Sequence, residues 1–104
     1  MGKTSWSDLV KKMDDILEIV PGDIIKATKT GGRDGSIQTG DVCSGVLAFD
    51  VKINQGINLN SKSFMSGLMT TPVVGISKFS NFWMIMTENS VYVLEKMGKI
   101  SDME

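Results

Sequence analysis

Residues 29 to 41 read KTGGRDGSIQTGD, and this stretch gathers the residue types that can hold an anion. Lys29 and Arg33 supply positive charge. Gly31, Gly32 and Gly35 leave backbone amides free to form a small anion-binding concavity beside them. The glycines at 31, 32, 35 and 40 do not fit G-x-G-x-x-G, and no GK[ST] follows them, so neither established phosphate-loop pattern is present. Gly2-Lys3-Thr4 imitates the end of a P-loop but lacks the upstream glycine and strand. A hairpin loop with a tight turn at Asp34-Gly35 is the plainer reading of the segment, with anion contact by Lys29 and Arg33 as the functional one. Asp34 and Asp41 flank the loop; turn aspartates usually bond local backbone, so no metal and no cofactor is expected.

The sequence contains no histidine and one cysteine, Cys43. Ser-His and Cys-His nucleophile pairs are therefore excluded, along with the commonest general base and most zinc sites. Cys43 alternates in phase with Leu47 and Phe49, as a buried structural residue would. With carboxylates scattered along the chain, the expectation is a protein that is not an enzyme and has no catalytic residues.

A second group of candidates is aromatic and sulfur-bearing. Phe82, Trp83 and Tyr92 fall within a run of strand-like segments, where aromatics either pair across strands or offer a stacking platform. Phe82 and Trp83 are consecutive, so on a strand they point to opposite faces. If one fills the core, the other is left for a partner, with Met65, Leu68 and Met69 near enough to complete an interface.

These residues need elements to position them. Trp6, Leu9, Val10, Met13, Ile16, Leu17 and Val20 recur at three- and four-residue spacing, which predicts an amphipathic helix over 5–20, capped by Ser5 and stopped by Pro21-Gly22. Beyond Pro21 the period changes to two. Strand-like runs cover 23–29, 42–53, 57–60, 70–79, 82–87 and 90–96, with turn signals at Gln55-Gly56, Ser80-Asn81 and Glu88-Asn89. Residues 61–69 read as a mobile loop and 97–104 as a tail. The fold class expected is α+β in a single domain, 1–104: the helix packs on a small, curled antiparallel sheet or partly open barrel of about five or six strands, with β-rich sequence over 22–96.

The chain's 104 residues include 41% apolar and 22% charged residues, enough for one compact core, and the net charge is −1. Eleven basic residues against twelve acidic make a dedicated nucleic-acid binder the less favoured reading, and near-neutrality does little to oppose a homo-oligomer. No run approaches the roughly 20 apolar residues of a membrane span. No membrane association and a cytoplasmic location are therefore expected.

The segment TTPVVGISKFSNFWMIMTENSVYVLEK, residues 70–96, resembles the closing segment of short, uncharacterised proteins from phages and mobile elements. The likeness lies in the T-x-P-V-x-x-I run and in a hairpin whose second strand begins near N-S-x-Y. It implies a phage-like β-meander, and host cytosol as the location if the gene is viral; it carries no activity. Three functions then compete. The first is a small binding or inhibitory protein that occupies a partner surface or sequesters a small anionic or nucleotide ligand. The second is a nucleic-acid-associated barrel using Lys26, Lys29, Arg33, Lys52, Lys62 and Lys78, and the third is a carboxylate-and-metal hydrolase.

Overall fold

A computed structural model describes residues 16–103. Six strands form a closed, wholly antiparallel barrel: β1 (Asp23–Gly32), β2 (Val42–Leu47), β3 (Gly56–Asn60), β4 (Leu68–Lys78), β5 (Trp83–Thr87) and β6 (Ser90–Lys99). Each strand pairs with its neighbour in sequence, and β6 returns to pair with β1. Closure gives each of the six strands a hydrogen-bonded neighbour on both sides. A short 3-10 turn, Ile100–Met103, follows β6. Among the described residues no helix is long and apolar enough to cross a membrane.

Alternation decides which side chains fill the barrel. On β1, Ile25, Ala27 and Lys29 are buried while Lys26 and Thr28 are half-exposed, the period-two pattern of a strand with one wet face. Leu47, Ile57, Leu59, Leu68, Val73, Trp83, Ile85, Tyr92 and Leu94 complete the interior. Register shifts in β1–β6, β3–β4 and β4–β5 bend the strands enough for six to close. At Gly45 a β-carbon would sit 2.7 Å from the Asn60 carbonyl oxygen and 2.9 Å from the Leu59 Cβ, so only glycine lets β2 approach β3 there.

The barrel has two ends. The loops 33–41 and 61–67 and the turn 88–89 share one end, here the mouth; the segment 16–22, the loop 48–55 and the turn 79–82 share the other, the base. Residues 16–20 are not helical, and the described residues contain no α-helix, so the α+β expectation is overturned in favour of an all-β barrel. The stretch 5–15 of the expected helix lies outside the described residues. Pro21 gives the physical reason at its C-terminal end. A helical Leu17 carbonyl would need the N–H of residue 21, which proline lacks. Instead the Trp83 indole Nε1 donates to the Leu17 carbonyl at 2.6 Å, and the Leu17 amide donates to the Phe79 carbonyl at 2.9 Å. Ile19, which the helical stripe leaves out, is the residue that plugs the base at 4% exposure, whereas Ile16 is 47% exposed.

Other boundaries move as well. β2 ends at Leu47, so Phe49 and Ile53 are exposed loop residues instead of alternating strand positions. β6 continues to Lys99 through Gly98, taking in residues 97–99 where a tail was expected. The barrel is closed, whereas a curled sheet or a partly open barrel was the expectation.

Asp23 anchors the base. Its carboxylate is fully buried, accepts the Val20 amide at 2.9 Å and lies 3.1 Å from Lys99 Nζ and 3.4 Å from Lys96 Nζ. Burial alone would raise its pKa; the Val20 amide and the two lysines outweigh that and hold it below the ordinary aspartate value.

Candidate functional site

The mouth is built by laying the β1–β2 loop against the β5–β6 turn. Gly32 makes this approach: its φ is +99°, and a methyl group there would collide with the Asn89 carbonyl. The next amide, of Arg33, donates to that same carbonyl at 2.7 Å. The loop then closes on itself. Asp34 Oδ1 accepts the Thr39 amide at 2.9 Å and its hydroxyl at 3.2 Å, and Asp41 Oδ2 accepts the Gln38 amide at 2.9 Å. Both aspartates are thus turn-formers, as aspartate commonly is. The Thr39 amide, then its hydroxyl, and to a lesser extent Lys29 hold the Asp34 pKa below its ordinary value.

Lys29 lies at the floor, on the inward face of β1, with 2% of its surface exposed. Its ammonium donates to the Arg33 carbonyl at 2.5 Å and the Ile37 carbonyl at 2.6 Å, and Asp34 Oδ1 is 3.9 Å away. A buried ammonium that binds two carbonyls of one loop works as a staple across it. Above this staple is a cavity of about 220 Å³ lined by Lys29, Arg33, Ser36, Asn89, Ser90 and Tyr92, with Gly35, Met69 and Thr87 also on its walls. The Thr87 hydroxyl is committed to the turn, accepting the Ser90 amide at 3.1 Å. Among the described residues the Arg33 guanidinium and the Tyr92 hydroxyl make no hydrogen bond or ion pair, and the side chains of Ser36, Asn89 and Ser90 are likewise uncommitted. Lys29 and Arg33 against Asp34 leave the lining with one net positive charge.

The structure therefore unites part of the expected site and separates the rest. Lys29, Arg33, Gly32 and Gly35 meet at the mouth, joined by Tyr92 and Met69 from the aromatic and sulfur group, while Gly31 is a strand residue paired with Val91. Trp83 is 5% exposed in the core near the base, with the Lys78 ammonium 4.3 Å from its ring centroid. Phe82 precedes β5 and stacks on Phe79 at 4.8 Å between centroids, so the opposite-face argument for this pair does not apply. Leu68 is core, Met65 is half-buried in the 61–67 loop, and Met69 stands out at 79% exposure. Ser36, Asn89 and Ser90 were missed as site residues. Asn89-Ser90 carries only a turn signal in sequence, and nothing in a sequence pairs that turn with Gly32.

Of the six basic residues named for a nucleic-acid surface, Lys29 is inside the barrel, Lys26 lies 4.0 Å from Glu95, Lys78 lies over the Trp83 ring and Arg33 lines the mouth cavity. Among the described residues no group of three or more cysteine, aspartate or glutamate side chains could hold a metal ion. Fold and site together describe a small closed β-barrel with a basic, donor-lined cavity at its mouth. No protein-family model, curated protein or solved structure matches the chain, so its own geometry carries the functional argument.

Proposed function

We propose that this protein is a small non-enzymatic binding module that holds a small anion, or the anionic end of a larger ligand, at the barrel mouth. The observation that carries the reading is the ring of uncommitted donors, Arg33, Ser36, Asn89, Ser90 and Tyr92, around a cavity whose floor holds the Lys29 ammonium. The ammonium is used on two carbonyls and lies 3.9 Å from Asp34 Oδ1, so Lys29 contributes charge at the floor. One net positive charge in the lining suits a monoanion such as a carboxylate or a singly ionised phosphate. The volume of about 220 Å³ takes a phosphate-sized group and not a whole nucleotide, whose base would lie outside.

Two aromatic candidates for a base-stacking platform, Trp83 and Tyr92, are 5% exposed, so the structure offers the nucleic-acid reading no specific support. Calorimetric titration with inorganic phosphate and with a nucleoside monophosphate at low ionic strength tests the proposal. Binding that Arg33→Ala weakens about tenfold or more, with an unchanged melting temperature, is the expected result. No binding of either probe at millimolar concentration, or binding indifferent to Arg33→Ala, refutes it.

A further inference from the structure

Met69 of β4, 79% exposed, lines two cavities of opposite character. One is the mouth cavity, which β4 also lines through Thr71. The other is a hollow of about 580 Å³ on the β3–β4 hairpin, which β4 lines through Thr70 and Pro72. Consecutive residues of one strand thus serve both, with Met69 common to the two. The hollow lies where the β3–β4 register shifts between Gly56 and Asn58.

The two cavities offer a ligand different chemistry. In the mouth the donors of Arg33, Ser36, Asn89, Ser90 and Tyr92 are uncommitted, above the Lys29 charge. In the hollow no side chain is charged, and its polar groups are largely spent on the protein itself. Thr70 Oγ1 accepts the Ile57 amide at 2.9 Å and donates to the Thr71 carbonyl at 2.8 Å, and Gln55 Nε2 donates to the Asp50 carbonyl at 3.5 Å. Among the described residues Asn58 is the one polar side chain on these walls without such a bond. Phe49, Ile57, Met69 and Pro72 supply the apolar walls, so a hydrocarbon enters without stripping water from a charge. A third depression beside Met69, walled by Asn58, Asn60, Ser61 and Ser66, is polar, and a sugar or base would choose that side.

We propose that mouth and hollow together hold an amphiphilic monoanion, an alkyl carboxylate, with its head at Arg33 and Tyr92 and its chain laid over Met69 toward Phe49. The inference rests on the reading that the mouth binds an anion, and adds the class of ligand. Charge complementarity sets the direction: the carboxylate goes to the lining with one net positive charge, the chain to the uncharged one. The mouth's volume of about 220 Å³ holds a head group, so the rest of a larger ligand must leave past a wall, and Met69 is the wall that leads to the apolar hollow. An unbranched thioether adapts readily to a hydrocarbon laid across it. Phe49 and Met69 are 58% and 79% exposed, so the chain gains apolar contact on one side and keeps the other in water.

Calorimetric titration of the full chain with acetate, butyrate, hexanoate and octanoate at low ionic strength tests this. Affinity is expected to rise about two- to fourfold per methylene beyond butyrate, the upper figure being that of a methylene wholly removed from water. Hexanol, which lacks the charged head, should bind about tenfold or more weaker than hexanoate. Arg33→Ala should weaken every carboxylate by a similar factor. Phe49→Ser and Pro72→Ser should each flatten the rise with chain length while acetate and phosphate bind as before. Both positions are exposed, so their melting temperatures should match the wild type's. Arg33-dependent binding of acetate and phosphate with no gain from a longer chain overturns this inference and leaves the mouth reading standing. No Arg33-dependent binding of any of these anions overturns both. A chain-length gain indifferent to Phe49→Ser and Pro72→Ser overturns the inference, as does a nucleoside monophosphate held more tightly than octanoate.

Discussion

Replacing Lys29 by methionine removes the ammonium while nearly conserving the side chain's volume and reach. Lys29 makes two charge-assisted hydrogen bonds at 2.5 and 2.6 Å, to the carbonyls of Arg33 and Ile37. Bonds of this type contribute about 1.5–3 kcal/mol each, so their loss bounds the effect at about 3–6 kcal/mol. Two terms reduce it. The variant no longer desolvates an ammonium, and the Arg33 carbonyl, on an exposed residue, regains water. The Ile37 carbonyl is on a half-buried residue and recovers less. The expected net destabilisation is about 2–3 kcal/mol, or roughly 10–20 °C in melting temperature for a domain of this size. Urea and thermal unfolding measure the total, and amide exchange locates it. The Gly40 amide, which donates to the Lys29 carbonyl at 2.8 Å, and the Lys29 amide, which donates to the Asp41 carbonyl at 3.0 Å, should lose protection. The β3–β4 ladder should exchange as before. A Lys29→Met protein as stable as the wild type, with an unchanged exchange pattern in 33–41, would refute the idea that a buried ammonium staples this loop.

Two further outcomes follow from the base of the barrel. Asp23 has a depressed pKa, so its contribution is present above the unfolded aspartate value of about 3.9 and lost as pH falls through the lower folded value. Asp23→Asn should therefore cost about 1–2 kcal/mol at pH 7, discounted because Lys96 and Lys99 are 25% and 50% exposed. The gap to wild type in urea midpoint should narrow as pH is lowered below about 4, and a gap constant from pH 7 to 2 contradicts the assignment. Trp83→Phe deprives the Leu17 carbonyl of its 2.6 Å donor and should destabilise by about 1–3 kcal/mol. It should also speed exchange of the Leu17 amide, and unchanged protection there would show that the indole does not hold the 16–20 segment.

The strands were readable because their signal is local. Alternation of Ile25 and Ala27, or of Trp83 and Ile85, encodes which face turns inward, and Glu88-Asn89 marks the turn that joins β5 to β6. The Lys29–Arg33 loop was identified as the anion candidate for a similarly local reason, the density of glycine and charge. Residues 16–20 misled because Ile16, Leu17 and Val20 satisfy a helical period, whereas the residues that turn inward, Leu17 and Ile19, are two apart as in an extended chain. The choice rests on Pro21 at one end and on Trp83, 66 residues away, which takes the Leu17 carbonyl. Phe82 and Trp83 misled because consecutive residues alternate only inside a strand, and β5 begins at Trp83.

By itself, then, the sequence determined the alternating strands, their turns and the absence of histidine chemistry, all of which depend on residue type and near neighbours. Only the tertiary structure decided that β6 returns to β1, because the pairing of strands distant in the chain is set by packing of the whole interior. Closure is what carries Lys29 inside and turns its charge onto the Arg33 and Ile37 carbonyls. It also brings Gly32 against Asn89 and sets Tyr92 and Arg33 on the walls of one cavity. Those contacts are long-range in the chain and short-range in space, which no local pattern records.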